Sequence, residues 1–417
     1  MQSIIKVNQD LPFIQKLPLS LQHVFAMFGS TILVPMLFHI DPALCLLCNG
    51  FGTLLYLFIT RNRIPAYLGS SFAFIAPVML VISKYGYSAA LSGFWVSGIL
   101  LIILAGAIQK FGVNWIERIL PGPSIGAIVI VIGLELAPVA AKMANLIGPT
   151  YDKNTLIGTI TLIATMVYSL FFRGFIRVIA VLLGIITGYI GAIFAGLISW
   201  DMLHSAAWVS LPHWYGLKFN INAIATIIPA VLVIFAEHIG HLYVTGNIIN
   251  DNLVKRPWMN LSLFSNGAST CVSALMGATP NTTYGENIGV LAMTRVYSTH
   301  VIRLTAIIAI ILAFCGKLSA LIMSIPACVI GGVSMLLFGV IAVSGIRMLV
   351  EKKTDFNNTH NLTVAAIILV IGVSGVSLQI ETLQLKGMGL ATVFAVVINL
   401  AINIFMKNSS LDKTKTN

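Results

Sequence analysis

The stretch "ATPNTTYGENIGVLAMTR", residues 278–295, is the part of the sequence that decides the fold. Its flanks are almost entirely apolar, yet it holds a proline, two asparagines, two glycines and the carboxylate of Glu286. Pro280 cannot continue a helix, and Thr282 and Thr283 favour an extended backbone. The stretch therefore predicts an extended piece followed by a short helix from Glu286 to Arg295.

The composition of the whole chain is that of a membrane protein. Of 417 residues, 58% are apolar and 9% charged, whereas about a quarter of the residues in a soluble domain are charged. A membrane-spanning helix needs about 20 mostly apolar residues. Twelve runs qualify, namely 21–38, 43–60, 89–109, 121–141, 155–172, 175–198, 222–247, 261–277, 300–323, 327–349, 361–379 and 387–406.

A second irregular segment, residues 67–82, resembles the opening stretch. It begins "YLGSSFAFIAPV", with a glycine, two serines and the alternating Phe72 and Phe74. Irregular backbone at membrane depth persists only where protein or a cavity satisfies it. We therefore expect the two segments to pair as short antiparallel strands, each breaking one span. Counting both gives an all-α polytopic membrane protein with about fourteen transmembrane segments.

The distribution of basic residues favours this count. Cytoplasmic loops collect lysine and arginine, and fourteen spans with both termini in the cytoplasm place 18 of the 24 basic residues inside. Without the two broken spans, 16 basic residues would lie inside and 8 outside, which is a weaker asymmetry. The net charge of +11 is scattered at span ends, which indicates topology signals and contacts with the lipid bilayer rather than nucleic-acid binding.

An internal repeat divides the chain into two halves. "PGPSIG" at 121–126 and "PACVIG" at 326–331 both place a proline at a span start and a glycine five residues later. The broken spans, third and tenth, have nearly the same offset. If each half contains seven spans, an odd number, the second half crosses the membrane in the opposite orientation to the first. Inverted repeats with paired broken helices are typical of secondary transporters.

Three carboxylates fall inside apolar runs, where an unpaired charge is costly and functional roles are common. Glu135 lies near the end of its span and either pairs at the interface or acts directly. Glu237 lies mid-span and shares a helix face with His241, four residues later. This pair predicts a proton-coupling site, with a buried ion pair between helices as the structural alternative. His238 points elsewhere and is expected to pack.

Metal catalysis is not expected. Zinc peptidases need His-Glu-x-x-His, whereas here the histidines, His238 and His241, are three apart and the glutamate precedes both. Cys45 and Cys48 have no second Cys or His pair nearby, so a zinc site is not expected there either. We predict no enzyme, no metal and no cofactor other than the proton as coupling ion.

The broken spans suggest the chemistry of a ligand. Half-helices that leave the extended pieces would aim unpaired N–H groups at carbonyl oxygens. Glu237 and Glu286 would accept hydrogen bonds from N–H groups, and Phe72 or Tyr284 could cover a flat ring. The expected ligand is small and planar, with alternating C=O and N–H groups.

The sequence resembles the nucleobase-ascorbate transporter family from about Pro18 to Phe405. The match includes "QH" at 22–23, "EHIGH" at 237–241 and the family signature of the tenth span, here Glu286, Asn287, Gly289, Thr294 and Arg295. The resemblance implies a homodimer in the bacterial inner membrane that imports uracil with protons. It also implies a core domain (1–118 and 221–324) that moves against a gate domain (119–220 and 325–406), before a disordered cytoplasmic tail (407–417).

The resemblance also implies roles for single residues. Glu237 and Glu286 would hold the uracil edge, the backbones of Phe72 and Gly285 would donate N–H groups, and His241 would assist proton coupling. Tyr284 would line the pocket. Glutamate at the start of the signature favours uracil. The alternatives are a xanthine or purine permease, and an anion exchanger or channel on the same fold. Phe338 departs from the pattern, because a tyrosine is expected there.

Overall fold

The protein, seen in a computed structural model that describes residues 4–112, 115, 119–147, 152–255, 257–380 and 383–413, is mostly helical. Side chains at 380, 383–384 and 403–413 lie outside this description. The helices of the described part are α1 (Phe13–Phe38), α2 (Pro42–Ile59), α3 (Ile75–Tyr85), α4 (Tyr87–Phe111), α5 (Gly122–Met143), α6 (Lys153–Phe171), α7 (Phe175–Val178), α8 (Ala180–Phe194), α9 (Asp201–Ser205), α10 (Ile221–Ile227), α11 (Ala230–Ile249), α12 (Trp258–Leu275), α13 (Gly285–Thr294), α14 (Thr299–Ala313), α15 (Gly316–Met323), α16 (Ala327–Glu351), α17 (Thr359–Val373) and α18 (Gly387–Lys413).

Many of these helices are apolar enough for a membrane. Within the described residues, seven helical segments are long and apolar enough to cross one: Phe13–Phe38, Pro42–Ile59, Tyr87–Phe111, Gly122–Met143, Lys153–Phe171, Ile221–Ile249 and Ala327–Glu351. Shorter apolar helices span Phe72–Tyr85, Ala180–Phe194, Thr299–Ala313, Thr359–Val373 and Gly387–Ile402. The prediction of a mostly helical membrane protein is confirmed.

Several predicted spans are interrupted or end elsewhere. The run 222–247 becomes α10 and α11, and Pro229 stands at the break between them. The run 361–379 ends early, because α17 stops at Val373 and Gly375 takes a left-handed φ of 77°. A hairpin of β3 (Ser377–Ile380) and β4 (Leu383–Lys386) follows. Apolar composition alone does not locate such breaks.

The C-terminal end also differs from the prediction. We expected a disordered tail from Lys407, but α18 continues to Lys413. Residues 407–413 contain neither glycine nor proline, the two residues that most often end a helix. Residues 414–417 lie outside the described part.

The two irregular segments do pair, as expected. β1 (Leu68–Ser70) runs antiparallel to β2 (Asn281–Thr283). The ribbon is extended by the Ser71 N–H bond to the Pro280 carbonyl at 3.0 Å and by the Tyr284 N–H bond to the Tyr67 carbonyl at 2.9 Å. Both strands are buried. Here irregular backbone is satisfied by its partner, as a site without water requires.

A glycine allows close packing across the ribbon. A Cβ on Gly69 would lie 2.2 Å from the ring of Tyr284, well inside van der Waals contact. The ring of Tyr284 therefore covers the backbone of β1. Any larger residue at position 69 would push this ring away.

The two repeated prolines begin helices that pack on each other. Pro121 and Pro326 are the N-cap residues of α5 and α16 and have similar extended backbone angles. The helices approach closely through glycines: a Cβ on Gly133 would lie 2.3 Å from the Phe338 carbonyl oxygen. The side chain of Phe338 is fully buried. Small residues at the interface allow such close contact between membrane helices.

The helices form two groups by their contacts. In the first group, α2 packs on α12 and α14, and α4 packs on α12. In the second, α5 packs on α16 and α17, and α6 packs on α8 and α16. The segment 206–220, which we call the strap, precedes α10 and bonds to elements of the first group. The predicted gate segment, 119–220, therefore includes the strap, although the strap packs on the predicted core.

Candidate functional site

The ribbon joins the starts of two helices. β1 leads through a single 3-10 turn, Phe72–Phe74, into α3, and β2 leads through Tyr284 into α13. Because the strands are antiparallel, the helices leave from opposite ends of the ribbon. The first N–H groups of a helix have no partner within it and carry a partial positive charge. Both helix starts are therefore suited to electron-rich ligand atoms.

Glu286 lies in the first turn of α13 and is held from α1. The Ser30 hydroxyl donates to Glu286 Oε1, which fixes one carboxylate oxygen. Two turns earlier on α1, His23 accepts from Asn287 Nδ2 through its carbonyl at 3.2 Å. Ser30 and His23 share one face of α1, since seven residues make two turns. Helix α1 thus positions α13 at two points.

Helix α11 supplies the second carboxylate and a histidine. Glu237 is half-buried and lies close enough to Glu286 to interact with it electrostatically. His241 Nδ1 lies 2.9 Å from Thr283 Oγ1 in β2. A Cβ on Gly285 would lie 3.5 Å from His241 Nε2. The imidazole therefore spans from the ribbon to the start of α13.

The sequence placed Glu237 and His241 on one helix face, and the structure adds Thr283 as a direct partner of the imidazole. Glu237 and His241 do lie on one helix, and α11 contacts β2, α13 and the 3-10 turn. Contact with Thr283 Oγ1 orients the imidazole from the ribbon side. Which ring nitrogen carries the proton depends on this contact.

The two aromatic residues differ in position. Phe72 is half-buried at the start of the 3-10 turn, beside α11. Tyr284 is only 4% exposed and packs among apolar residues of α1, α2 and α14. Its ring is enclosed by protein. The backbone of Tyr284 still forms the link between ribbon and α13.

Two other titratable residues lie away from this group. His238 is buried, with Nδ1 2.9 Å from Asn266 Nδ2 of α12, in agreement with a packing role. Glu135 Oε2 accepts from the Met388 N–H at 2.7 Å, at the start of α18. That carboxylate caps a helix, which corresponds to the interface pairing that we considered for it.

The sequence did not single out Ser30 or Thr283, although both contact the central residues. Ser30 lies in an apolar run of α1, 256 positions before Glu286. A hydroxyl in an apolar helix is a weak signal, because serine commonly bonds to its own helix backbone. Only the tertiary structure identifies its partner.

The site can bind a polar, uncharged or proton-bearing ligand. Two carboxylates accept hydrogen bonds, and the starts of two helices donate them. Within the described residues, no group of three His, Cys, Asp or Glu side chains could hold a metal ion. The carboxylates, the imidazole and the helix starts can form hydrogen bonds and exchange protons.

The fold of this chain resembles that of a solved structure. The murine anion transporter Slc26a9, in its inward-facing state, superposes with a TM-score of 0.72 over 96% of this chain and 69% of that chain. The two sequences are 9% identical, so the likeness concerns the fold alone.

The sequence comparisons assign the family. The model of the Permease family matches residues 14–381. The uracil permease of Paenibacillus larvae is 52% identical over 97% of this chain and 98% of its own length. The uracil permease of Escherichia coli K12 is 51% identical, over 96% and 94%. The chain belongs to this permease family, the nucleobase-ascorbate transporters, and is a multi-pass membrane protein.

Proposed function

We propose that this protein is a proton-coupled symporter that imports uracil across the bacterial inner membrane. The observation that carries the proposal is the contact of α11, which bears Glu237, with β2 and with α13, which bears Glu286 in its first turn. Relatives that are about half identical over nearly the whole chain are named uracil permeases, which supports the choice of substrate.

Uracil fits this group of donors and acceptors. Its ring carries N–H groups at positions 1 and 3 and carbonyl oxygens at positions 2 and 4. We propose that Glu237 and Glu286 accept from the N–H groups, while the backbone N–H groups of Phe72 and Gly285 donate to the carbonyls. A site built to pair buried donors and acceptors discriminates strongly against ligands that leave them unpaired.

We assign the proton to Glu237 and His241. A carboxylate and an imidazole in one partly enclosed space can exchange a proton near neutral pH. Thr283 would hold the imidazole while its protonation changes. Because symport needs a group whose proton occupancy differs between conformations, coupling is a difference between states rather than one contact.

The proposed architecture has fourteen spans in two inverted halves. The seven long helical segments, the five shorter apolar helices, α12 and α13 together make fourteen. We propose that the group containing α1–α4 and α10–α15 is a core that moves against a gate of α5–α8 and α16–α18. The strap would belong to the core, and two chains would associate as a homodimer.

The alternatives differ in their ligand. A xanthine or purine permease would need room for a second ring beside the same carboxylates. An anion exchanger or channel shares the fold, but two neighbouring carboxylates would repel an anion, by more than in water if the site is dry. The observed carboxylate pair therefore favours a neutral nucleobase.

Substrate choice can be tested in cells that lack their own nucleobase permeases. Uptake of labelled uracil would be measured in competition with thymine, xanthine, hypoxanthine and chloride. We expect unlabelled uracil to compete best. Competition by xanthine at lower concentration than uracil would overturn the uracil assignment in favour of a purine permease.

The topology has its own test. Cysteines at positions 61 and 255, replacing Arg61 and Lys255, should react only from the cytoplasmic side, and a cysteine replacing Lys153 only from outside. Labelling of position 255 from outside would remove the broken third span from the count, because that loop would then lie on the other face.

A further inference from the structure

The strap, residues 206–220, is an exposed apolar segment in a place where the chain connects two spans. Its sequence, "AAWVSLPHWYGLKFN", carries one formal charge, at Lys218. The side chains of Trp208, Val209 and Leu211 are 75%, 78% and 84% exposed, and Trp214 is 58% exposed. A loop surrounded by water rarely presents so many large apolar side chains together.

Backbone hydrogen bonds fasten the strap to the ends of helices. The Ser210 N–H donates to the Phe314 carbonyl at 3.0 Å, and the Gly316 N–H donates to the Trp208 carbonyl at 3.1 Å. Between them, Val209 forms an antiparallel bridge with Cys315. The strap thus pairs like a strand with the break between α14 and α15, which leaves its side chains free to face outward.

Two more bonds fix the depth of the strap. The His213 N–H donates to Asp41 Oδ2 at 2.8 Å, and Asp41 is the N-cap of α2. The Lys218 N–H donates to the carbonyl of Ser88, the second residue of α4. Both helices are long enough to span a membrane, and such helices begin at the membrane surface. The strap therefore lies level with that surface.

The apolar face of the strap continues onto surfaces that meet lipid. Ile221, at the start of α10, is 74% exposed, and Ile311, on α14, is 64% exposed. In a multi-pass membrane protein, exposed apolar side chains on spanning helices contact the acyl chains. The strap places further exposed apolar side chains beside the ends of these helices.

Its tryptophans match the chemistry of the headgroup region. Three of the six tryptophans of the chain, Trp200, Trp208 and Trp214, fall within fifteen residues. Indole has an apolar body and one N–H donor, and tryptophan is enriched where membrane meets water. The pattern fits a lipid headgroup boundary better than water or the acyl interior.

We propose that the strap is an interfacial anchor, with Trp208, Leu211 and Trp214 inserted between phospholipid headgroups at the level where α2 and α4 begin. It attaches the helices that carry the ribbon to one leaflet. Assignment to the outer leaflet rests on the proposed topology, whereas contact with lipid does not.

The direct test uses the full-length protein in phosphatidylcholine liposomes. Leu211→Cys is labelled with the environment-sensitive dye NBD. Wild-type protein treated with the same dye is the blank for labelling of the native cysteines. Asn357→Cys is the matched control, because Asn357 is an exposed residue in the polar turn before α17. Quenching is compared between lipids brominated near the headgroup and aqueous iodide.

We expect bromolipids to remove most of the emission at position 211 and iodide to remove little, with the reverse at position 357. Equal iodide quenching at both positions would overturn the proposal. So would protection from both quenchers together with disulfide formation between two chains at position 211, because the strap would then be a protein interface.

A second measurement avoids the cysteine variant. The intrinsic tryptophan emission of wild-type protein should lose more intensity to shallow bromolipids than that of a Trp208→Phe/Trp214→Phe variant. Uracil binding should be the same in both, since neither residue contacts the ribbon, so failure of the proposed function would show separately. Equal bromolipid quenching in both proteins would contradict lipid contact at the strap.

Discussion

The two broken segments have the same architecture and opposite chemistry. In each, a three-residue strand leads into a short helix, and the strands pair with each other. The first segment, residues 67–85, has no acidic residue, whereas the second, residues 281–294, carries Glu286 in its first helical turn. The first thus offers backbone donors, serine hydroxyls and the ring of Phe72, and the second adds a carboxylate.

The two segments also differ in the groups that hold them in place. The second is held by groups on other helices: the Ser30 hydroxyl bonds to Glu286, the His23 carbonyl to Asn287 and the His241 ring to Thr283. The first packs mainly through buried apolar residues such as Phe74 and Ile75. A repeated backbone therefore provides the scaffold, and the side chains of one copy provide recognition and proton exchange.

The largest effect is expected from Glu286→Gln, which should abolish detectable uracil binding. The amide presents donors to the N–H edge of the ring where a pure acceptor is required, and a buried mispairing costs on the order of 1–3 kcal/mol or more. Isothermal titration calorimetry in detergent measures the affinity for uracil. Glu351→Gln is the control, since Glu351 is an exposed residue at the end of α16. Unchanged affinity in Glu286→Gln would remove the second segment's recognition role.

Ser30→Ala should weaken uracil binding without abolishing it. A hydrogen bond to a charged group contributes about 1.5–3 kcal/mol, and its loss leaves Glu286 free to turn. The matched control is Ser97→Ala, because the Ser97 hydroxyl is buried and has no hydrogen-bond partner among the described residues. Equal affinities for the two variants would mean that α1 does not position the carboxylate.

Gly69→Ala tests the scaffold rather than the chemistry. The new Cβ would overlap the Tyr284 ring, and overpacking of this kind costs about 1–3 kcal/mol. We expect a lower melting temperature and weaker binding. Gly106→Ala, on an open face of α4, should be neutral or slightly stabilising. Equal melting temperatures for the two variants would show that the ribbon tolerates displacement of the Tyr284 ring.

The smallest effect on affinity is expected from His241→Ala, which leaves the direct contacts in place. Uphill uptake driven by a proton gradient should nevertheless collapse, because the imidazole is the proposed partner of Glu237 in coupling. Thr283→Val should act in the same direction but less, since it removes only the contact that orients the ring. Undiminished accumulation by His241→Ala would assign the proton to the carboxylates alone.

The sequence predicted the ribbon because Pro280, the threonines after it and the serines after Gly69 are local signals. It also predicted that Glu237 and Glu286 belong together. It did not predict Ser30, the break between α14 and α15, or the strap, because their partners lie more than 100 positions away, which periodicity does not encode. It also overlooked the local break at Pro229.

The most direct test of the central claim is uracil accumulation in proteoliposomes that contain only this protein. With the interior more alkaline than the medium, labelled uracil should rise above its external concentration, and a protonophore should abolish the excess. Glu286→Gln should show no uptake under the same gradient. Uracil that only equilibrates, with no response to the gradient, would contradict proton symport, and wild-type uptake by Glu286→Gln would contradict the proposed site.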